Sequence, residues 1–170
     1  ALAGLAVVIG VVVWLLVRGG GDDTVATPEP VAASTGDLQK MAGDVAHPVY
    51  WAGERPGSTY ELTKTADGRV YIRYLPKGVE VGDPSPKFTT VATYPQRNAY
   101  VKTQQAAQRP GAESFDTQSG ALVVTNSASP TSVYFAFKGE PFLVEVFDPS
   151  PKKALDLALS GKILRLQPQS

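Results

Sequence analysis

The chain has 170 residues, which is enough for one domain of ordinary size plus short accessory segments. Its 16 basic and 16 acidic residues cancel, so nucleic acid is not expected as a partner. The sequence contains no cysteine, which excludes disulfides, thiolate metal sites and cysteine nucleophiles, and no cofactor is predicted.

The N-terminal stretch ALAGLAVVIGVVVWLLV is uncharged and apolar. As a helix it would span about 26 Å, close to the minimum for the hydrocarbon core of a bilayer. A secretory signal peptide and a buried core helix are the alternatives. The apolar region of a signal peptide is typically about 7–15 residues long and leads to a small-residue cleavage site, whereas Arg18 and GGGDD follow here. We predict a transmembrane anchor over residues 1–18, embedded in lipid through residues 1–17.

The orientation of this anchor depends on its flanking charges. Because the chain begins with Ala1, we expect a basic cytoplasmic flank to precede it. Such a flank would outweigh Arg18 and would place the main domain outside the cytoplasm at the cell membrane.

A linker is predicted to follow over residues 19–36, GGGDDTVATPEPVAASTG. This stretch has no aromatic residue and is rich in Gly, Pro, Ser and Thr, as flexible or extended connections are. The folded domain is predicted over residues 37–166, with a tail at residues 167–170.

The first half of the domain combines one helix with several strands. A helix is predicted from Asp37, where Leu38, Met41 and Ala42 follow helical spacing, and it ends before Pro48. Ala66-Asp67-Gly68 is a hairpin signal, because Asp-Gly supplies the positive φ of a tight turn. Strand patterns in this half cover residues 48–52, 59–65, 69–75, 79–81 and 88–94.

The second half contains two helices and further strands. A helix is predicted over residues 98–108, and strands over residues 121–125, 132–138 and 142–147. The last helix begins after Ser150, a good N-cap, and is expected to bury Leu155, Ala158 and Leu159 and to end at Gly161. Together these elements predict an α+β fold: an antiparallel sheet of roughly six to eight strands with two or three helices on one face.

One nonapeptide occurs almost twice, as VEVGDPSPK at residues 79–87 and VEVFDPSPK at residues 144–152. The first copy leads into a predicted strand and the second into a predicted helix. Two explanations remain open. One is an ancestral duplication of an α-β-β-β unit, and the other is independent reuse of a favourable Asp-Pro-Ser turn.

Few residues suggest catalysis. His47, the only histidine, would serve as a general base or as a hydrogen-bonded residue at a helix-to-strand junction, and we favour the second role. Ser150 and Lys153 match the S-x-x-K motif of penicillin-recognising enzymes, but the companion motifs S-D-N and K-T-G are absent. Glu80 and Glu145 occupy matching positions in the two VEV segments, and we expect both to be solvated rather than to form an acid–base pair.

Aromatic residues are the feature most suggestive of binding. Tyr50 and Trp51 are adjacent in a predicted strand, so their side chains point to opposite sides. One of them could form a surface platform for a sugar, peptide or lipid, or both could pack beneath the helices. The candidate binding residues are His47, Tyr50, Trp51, Tyr71 and Arg73.

The segments HPVYWAG, TYELT, DGRVYIRYLP, VGDP and VYFAF…VEVFDPSP resemble those of a group of membrane-anchored actinobacterial proteins of no assigned function. The resemblance covers residues 47–161, and HPVYWAG is its most specific part. It implies a single-pass envelope protein, and it transfers no catalytic residue, cofactor or substrate.

We therefore expect a non-enzymatic binding or assembly domain of the cell envelope, whose partner is an envelope protein or a cell-wall ligand. Two alternatives remain. One is an envelope hydrolase or transferase that uses Ser150 with Lys153, or His47. The other is a ligand-sensing ectodomain that signals through the anchor.

Overall fold

The computed structural model describes residues 28–168. The fold is α+β, as predicted, and this part of the chain contains a large antiparallel sheet and three helices. The strands are β1 (Val31–Ala33), β2 (Tyr50–Trp51), β3 (Ser58–Lys64), β4 (Val70–Pro76), β5 (Thr90–Pro95), β6 (Ala112–Asp116), β7 (Ala121–Asn126), β8 (Ser132–Phe137), β9 (Phe142–Phe147) and β10 (Leu164–Arg165). The helices are α1 (Thr35–Asp44), α2 (Ala99–Ala107) and α3 (Pro151–Leu159).

The main sheet has eight strands in the order β1-β3-β4-β5-β9-β8-β7-β6, while β2 and β10 form a separate two-stranded sheet. Strands β3–β5 and β6–β9 are two meanders that meet at the antiparallel pair β5–β9, where Ala92 lies opposite Glu145. The predicted turn between β3 and β4 is confirmed, since Gly68 has a φ of 84° and donates its N–H to the carbonyl of Thr65 at 3.0 Å.

Helices cover both faces of the main sheet, so the prediction that they share one face is wrong. The front face packs against α1 and α3 through a core that includes Leu38, Met41, Val70, Ile72, Val91, Val123, Val133, Val144, Val146, Ala154 and Ala158. The back face packs against α2 through Ala92, Tyr94, Ala99, Ala106, Leu122, Val124, Tyr134, Ala136 and Leu143. The central strands carry apolar side chains on both sides, and both sides must therefore be removed from water.

The ordered domain begins before Asp37, inside the segment predicted as a linker. Strand β1 pairs with β3, and its residue Ala33 is buried. Ser34 then caps α1: its hydroxyl accepts the N–H of Asp37 at 3.2 Å, and the Asp37 carboxylate accepts the N–H of Ser34 at 2.8 Å. This reciprocal capping box fixes the start of the helix.

The two nonapeptide copies occupy different structural positions. Residues 79–81, predicted as a strand, lie in the loop between β4 and β5, where Val79 N–H bonds the Pro76 carbonyl in a turn. The second copy begins in β9 and continues into α3. What the copies share is a local turn: Asp83 Oδ1 accepts the N–H of Ser85 at 2.8 Å, and Asp148 Oδ1 accepts the N–H of Ser150 at 2.9 Å.

No helix within residues 28–168 has both the length and the apolar character needed to cross a bilayer. The predicted anchor at residues 1–18 lies outside the described residues.

Candidate functional site

The most unusual chemistry of the domain lies at the centre of the back face. Residues in register across four neighbouring strands form a row, Tyr71–Ala92–Glu145–Tyr134. Alanine occupies the position between Tyr71 and Glu145, and its small side chain leaves room above β5. Tyr94, two residues further along β5, fills this room and reaches Glu145.

Glu145 is a buried carboxylate held by three hydroxyl groups. Its side chain is 3% exposed. Oε2 accepts a hydrogen bond from Tyr94 at 2.5 Å, and Oε1 accepts one from Ser132 at 2.7 Å and another from Tyr134 at 3.1 Å. We call Glu145, Tyr94, Tyr134 and Ser132 the back-face cluster. Its donors come from β5 and β8, the two strands that flank β9, so the cluster ties three strands together.

Two opposing effects set the protonation of this cluster. Burial raises the pKa of Glu145, while the hydrogen bonds from Tyr94, Ser132 and Tyr134 act to lower it, and the net shift is upward. Burial and the neighbouring Glu145 charge also raise the pKa of Tyr94 and of Tyr134, so both phenols remain donors over the whole physiological range. The cluster can therefore hold a proton on a buried carboxyl, in contact with neutral hydroxyls only.

Tyr71 forms the solvent side of the back-face cluster. It is half-buried, and its ring meets that of Tyr94 edge-on, with centroids 5.7 Å apart and planes at 84°. Its hydroxyl lies within reach of Arg69 and Tyr94, and burial raises its pKa. Of the five predicted binding residues, Tyr71 is the one that adjoins the cluster.

Arg73, also on the back face, bonds Glu61 and two backbone carbonyls of the domain. Its Nη1 bonds Glu61 Oε1 at 2.5 Å, and the two side chains are 11% and 2% exposed. Its Nη2 donates to the carbonyls of Asp83 and Ser85 at 2.9 and 3.1 Å. Glu61 Oε2 in turn accepts the N–H of Gly82 at 2.6 Å. This ion pair fastens the loop of residues 77–89 onto β3 and β4.

Tyr50 and Trp51 lie on the other side of the sheet, within the front-face core. The Tyr50 ring contacts those of Phe135, Phe137 and Phe142 at centroid distances of 6.2, 6.0 and 5.8 Å. Trp51 is 9% exposed and meets Tyr60 edge-on at 6.1 Å. Pairing of β2 with β10 holds both aromatic residues against the main sheet. Neither ring stands free as a surface platform.

His47 bridges two backbone segments. Its Nδ1 lies 2.8 Å from the carbonyl oxygen of Pro48, and its Nε2 lies 2.6 Å from that of Gly68, in the turn between β3 and β4. The ring thus connects the end of the α1–β2 connection to a hairpin, and both of its nitrogens are engaged with backbone.

Ser150 acts as the N-cap of α3, as predicted. Its hydroxyl accepts the N–H of Lys153 at 3.5 Å, and the Lys153 side chain is exposed. Within α3, Ala154 and Ala158 are buried, whereas Leu159, expected in the core, is 38% exposed.

The candidate residues named from sequence therefore do not converge on one surface. Tyr50 and Trp51 pack in the front-face core, and His47 contacts the turn between β3 and β4, while Tyr71 and Arg73 lie on the back face. The solvated position expected for Glu145 is wrong, although Glu80 is exposed. One available signal was the strand FLVEVF, in which every residue except Glu145 is apolar, as is typical of a strand covered on both sides.

Comparison with protein families, curated proteins and solved structures finds no match to this chain. Between residues 28 and 168, no cluster of three or more His, Asp or Glu side chains could hold a metal ion.

Proposed function

We propose that this protein is a membrane-anchored binding or assembly module of the cell envelope, with its domain outside the cytoplasm and no catalytic role. The anchor rests on the apolar stretch at residues 1–17. The absence of catalysis rests on one observation: the reactive side chains named from sequence already hold structural contacts.

Three such groups carry the proposal. The Ser150 hydroxyl accepts a backbone N–H, and the neighbouring lysine extends into solvent. Both nitrogens of His47 face backbone carbonyls. The carboxylate of Glu145 is surrounded by three donors and is closed off from solvent. A catalytic base needs a lone pair within reach of a substrate proton. Both nitrogens of His47 face backbone carbonyls, and Glu145 is buried, so neither geometry provides that access.

The binding function is tested with the full chain reconstituted in lipid vesicles. Vesicles with and without the protein are mixed with solubilised envelope protein or with purified cell-wall polymer, and are then recovered by flotation. We expect saturable retention of one of these fractions by vesicles that carry the native chain. Retention equal to that of empty vesicles, for both fractions, would contradict the proposed function.

The catalytic alternative makes a separate prediction. A serine-reactive acylating probe should not label the full chain, and Ser150→Ala should not alter the labelling. Ser150-dependent labelling that also requires Lys153 would show instead that the S-x-x-K pair is catalytic.

A further inference from the structure

The two edges of the main sheet differ in how open they are. Strand β1 has three residues, lies directly after Pro30 and is followed by the capped start of α1. Strand β6, at the opposite edge, has five residues and pairs with β7 on its inner side. Within residues 28–168, no strand follows β6 in the sheet.

The register of β6 shows which backbone groups face outward. The carbonyl of Gly111 accepts the N–H of Ser127, and the N–H of Thr117 bonds the carbonyl of Ala121, so residues 111 and 117 face β7. In an antiparallel pair, residues whose N–H and C=O bond the neighbouring strand alternate with residues whose N–H and C=O face away from it. Residues 113 and 115, which lie between 111 and 117, therefore also face β7. Ser114 and Asp116 therefore direct both their N–H and C=O groups away from the sheet.

The same edge is anionic. Glu113 and Asp116 are exposed on β6, and between Arg109, which precedes the strand, and Lys138 the sequence contains no lysine or arginine. Carboxylates on a strand edge disfavour its pairing with a second copy of itself, since the two edges carry the same charge. An added strand with lysine or arginine side chains would instead meet opposite charge.

We propose that the outer edge of β6 is a docking site for an extended, basic segment of a partner protein, which adds to the sheet as a further strand. The backbone groups of Ser114 and Asp116 would supply the hydrogen bonds, and Glu113 and Asp116 would select for basic side chains. This inference rests on the proposed binding function and names the class of partner.

The first test uses the full chain in nanodiscs of zwitterionic lipid, which do not themselves attract basic peptides. The probe is a short synthetic peptide of alternating lysine and valine, and the comparison peptide carries glutamate in place of lysine. We expect the lysine peptide to bind, the glutamate peptide not to bind, and binding to slow hydrogen exchange at the amides of Ser114 and Asp116.

The matched variants separate backbone from side-chain effects. Ser114→Pro removes an outward N–H without removing a bond to β7, whereas Ser114→Ala keeps the N–H and removes only the hydroxyl. We expect Ser114→Pro to weaken peptide binding about tenfold or more, as the loss of one or two backbone bonds would, and Ser114→Ala to leave it nearly unchanged. Circular dichroism and exchange protection in β7 and β8 verify that each variant is folded.

A second variant keeps the test decisive if Ser114→Pro does not fold. Glu113→Gln combined with Asp116→Asn leaves the backbone intact and removes the edge charge. We expect it to weaken binding severalfold and to reduce the salt dependence of the affinity.

Several results would overturn the proposal. The first is equal binding of the lysine and glutamate peptides, and the second is protection of amides outside β6. The third is an unchanged affinity of the lysine peptide for the Glu113→Gln, Asp116→Asn variant. The fourth is self-association of the protein through β6 in place of peptide binding. If the vesicles retain envelope protein or cell-wall polymer and Ser114→Pro retains it equally, the edge proposal fails while the proposed binding function stands. Absence of any envelope retention would contradict the proposed function itself.

Discussion

The Tyr94 hydroxyl donates a hydrogen bond to the Glu145 carboxylate at 2.5 Å, across the β5–β9 pair that joins the two meanders. This contact lies at the only junction between the β3–β5 and β6–β9 parts of the main sheet, within residues 28–168. A buried polar group with satisfied partners contributes specificity to a core, and it becomes costly as soon as one partner is lost. The back-face cluster should therefore matter both for stability and for its dependence on pH.

Glu145→Gln should remove one component of the pH dependence of stability. The pKa of Glu145 in the folded protein lies above its ordinary value of 4.5. Below pH 4.5 the Glu145 carboxyl is protonated in both the folded and the unfolded protein, so its full contribution to stability is present. As the pH rises, the unfolded chain releases its proton first, so stability falls until the pH passes the pKa of the folded state.

Urea unfolding of the wild type and Glu145→Gln across this interval measures the effect. The difference in unfolding free energy should move in favour of the glutamine variant as the pH rises above 4.5. Glu80→Gln, at the matching but exposed position of the other nonapeptide, serves as the control for the loss of one carboxylate. A pH-independent difference for Glu145→Gln would contradict a raised pKa.

Tyr94→Phe should destabilise the domain by about 1–3 kcal/mol, because it leaves a buried carboxylate oxygen without its donor. It should also raise the pKa of Glu145 further, since a hydrogen bond that favours the charged form is lost. Combined with Glu145→Gln, its cost should be smaller than in the wild-type background, because the two residues share one contact. Additive costs in this double-mutant cycle would show that the hydroxyl does not act through Glu145.

The sequence predicts best the features that depend on nearby residues. The turn at Asp67-Gly68 and the capping of α3 by Ser150 both follow from local chemistry, and both are present. Strand β6 has the sequence AESFD, which carries little strand signal, and it forms because β7 provides a pairing partner. Residues 79–81 show the opposite case: the sequence VEV favours a strand, but this segment pairs with no strand and lies in a loop.

The candidate site was harder to predict for the same physical reason. The burial of Glu145 depends on α2 and Tyr71 covering the back face, and neither is close to Glu145 in sequence. The separation of Tyr50 from Tyr71 depends on β2 leaving the main sheet to pair with β10. Strand periodicity indicates alternation along one strand, but it does not indicate which side of the sheet a separate strand will cover.

Arg73→Met should release the loop of residues 77–89. The substitution leaves Glu61 as a buried charge without its cation and removes the donors to the Asp83 and Ser85 carbonyls. Breaking such a pair on one side typically costs about 3–5 kcal/mol. Hydrogen exchange should accelerate in the loop more than in β7 and β8, and the double variant Arg73→Met, Glu61→Met should recover part of the stability. Uniform acceleration across the whole sheet would argue against a local clamp.

The repeated nonapeptide allows a comparison of one sequence in two environments. In both copies the aspartate accepts the N–H of the serine two residues later. Asp148 is also buried, and its second oxygen accepts the hydroxyl of Thr89 at 2.7 Å, whereas Asp83 is half-buried and its Oδ1 accepts the hydroxyl of Ser85 at 2.5 Å. Asp148→Ala should therefore cost about 1–3 kcal/mol, through the loss of a turn and of a buried contact.

Asp83→Ala loses the same turn without a buried partner, so its effect on the urea midpoint should be clearly smaller. Thr89→Val should reproduce part of the Asp148→Ala effect, because it removes the donor to Asp148 and leaves the turn intact. If the two alanine variants had equal cost, the turn alone would account for both, and the contact with Thr89 would contribute nothing. Unequal cost would show that the copies share only local turn chemistry, and that the stability contributed by each depends on the strand or helix it joins.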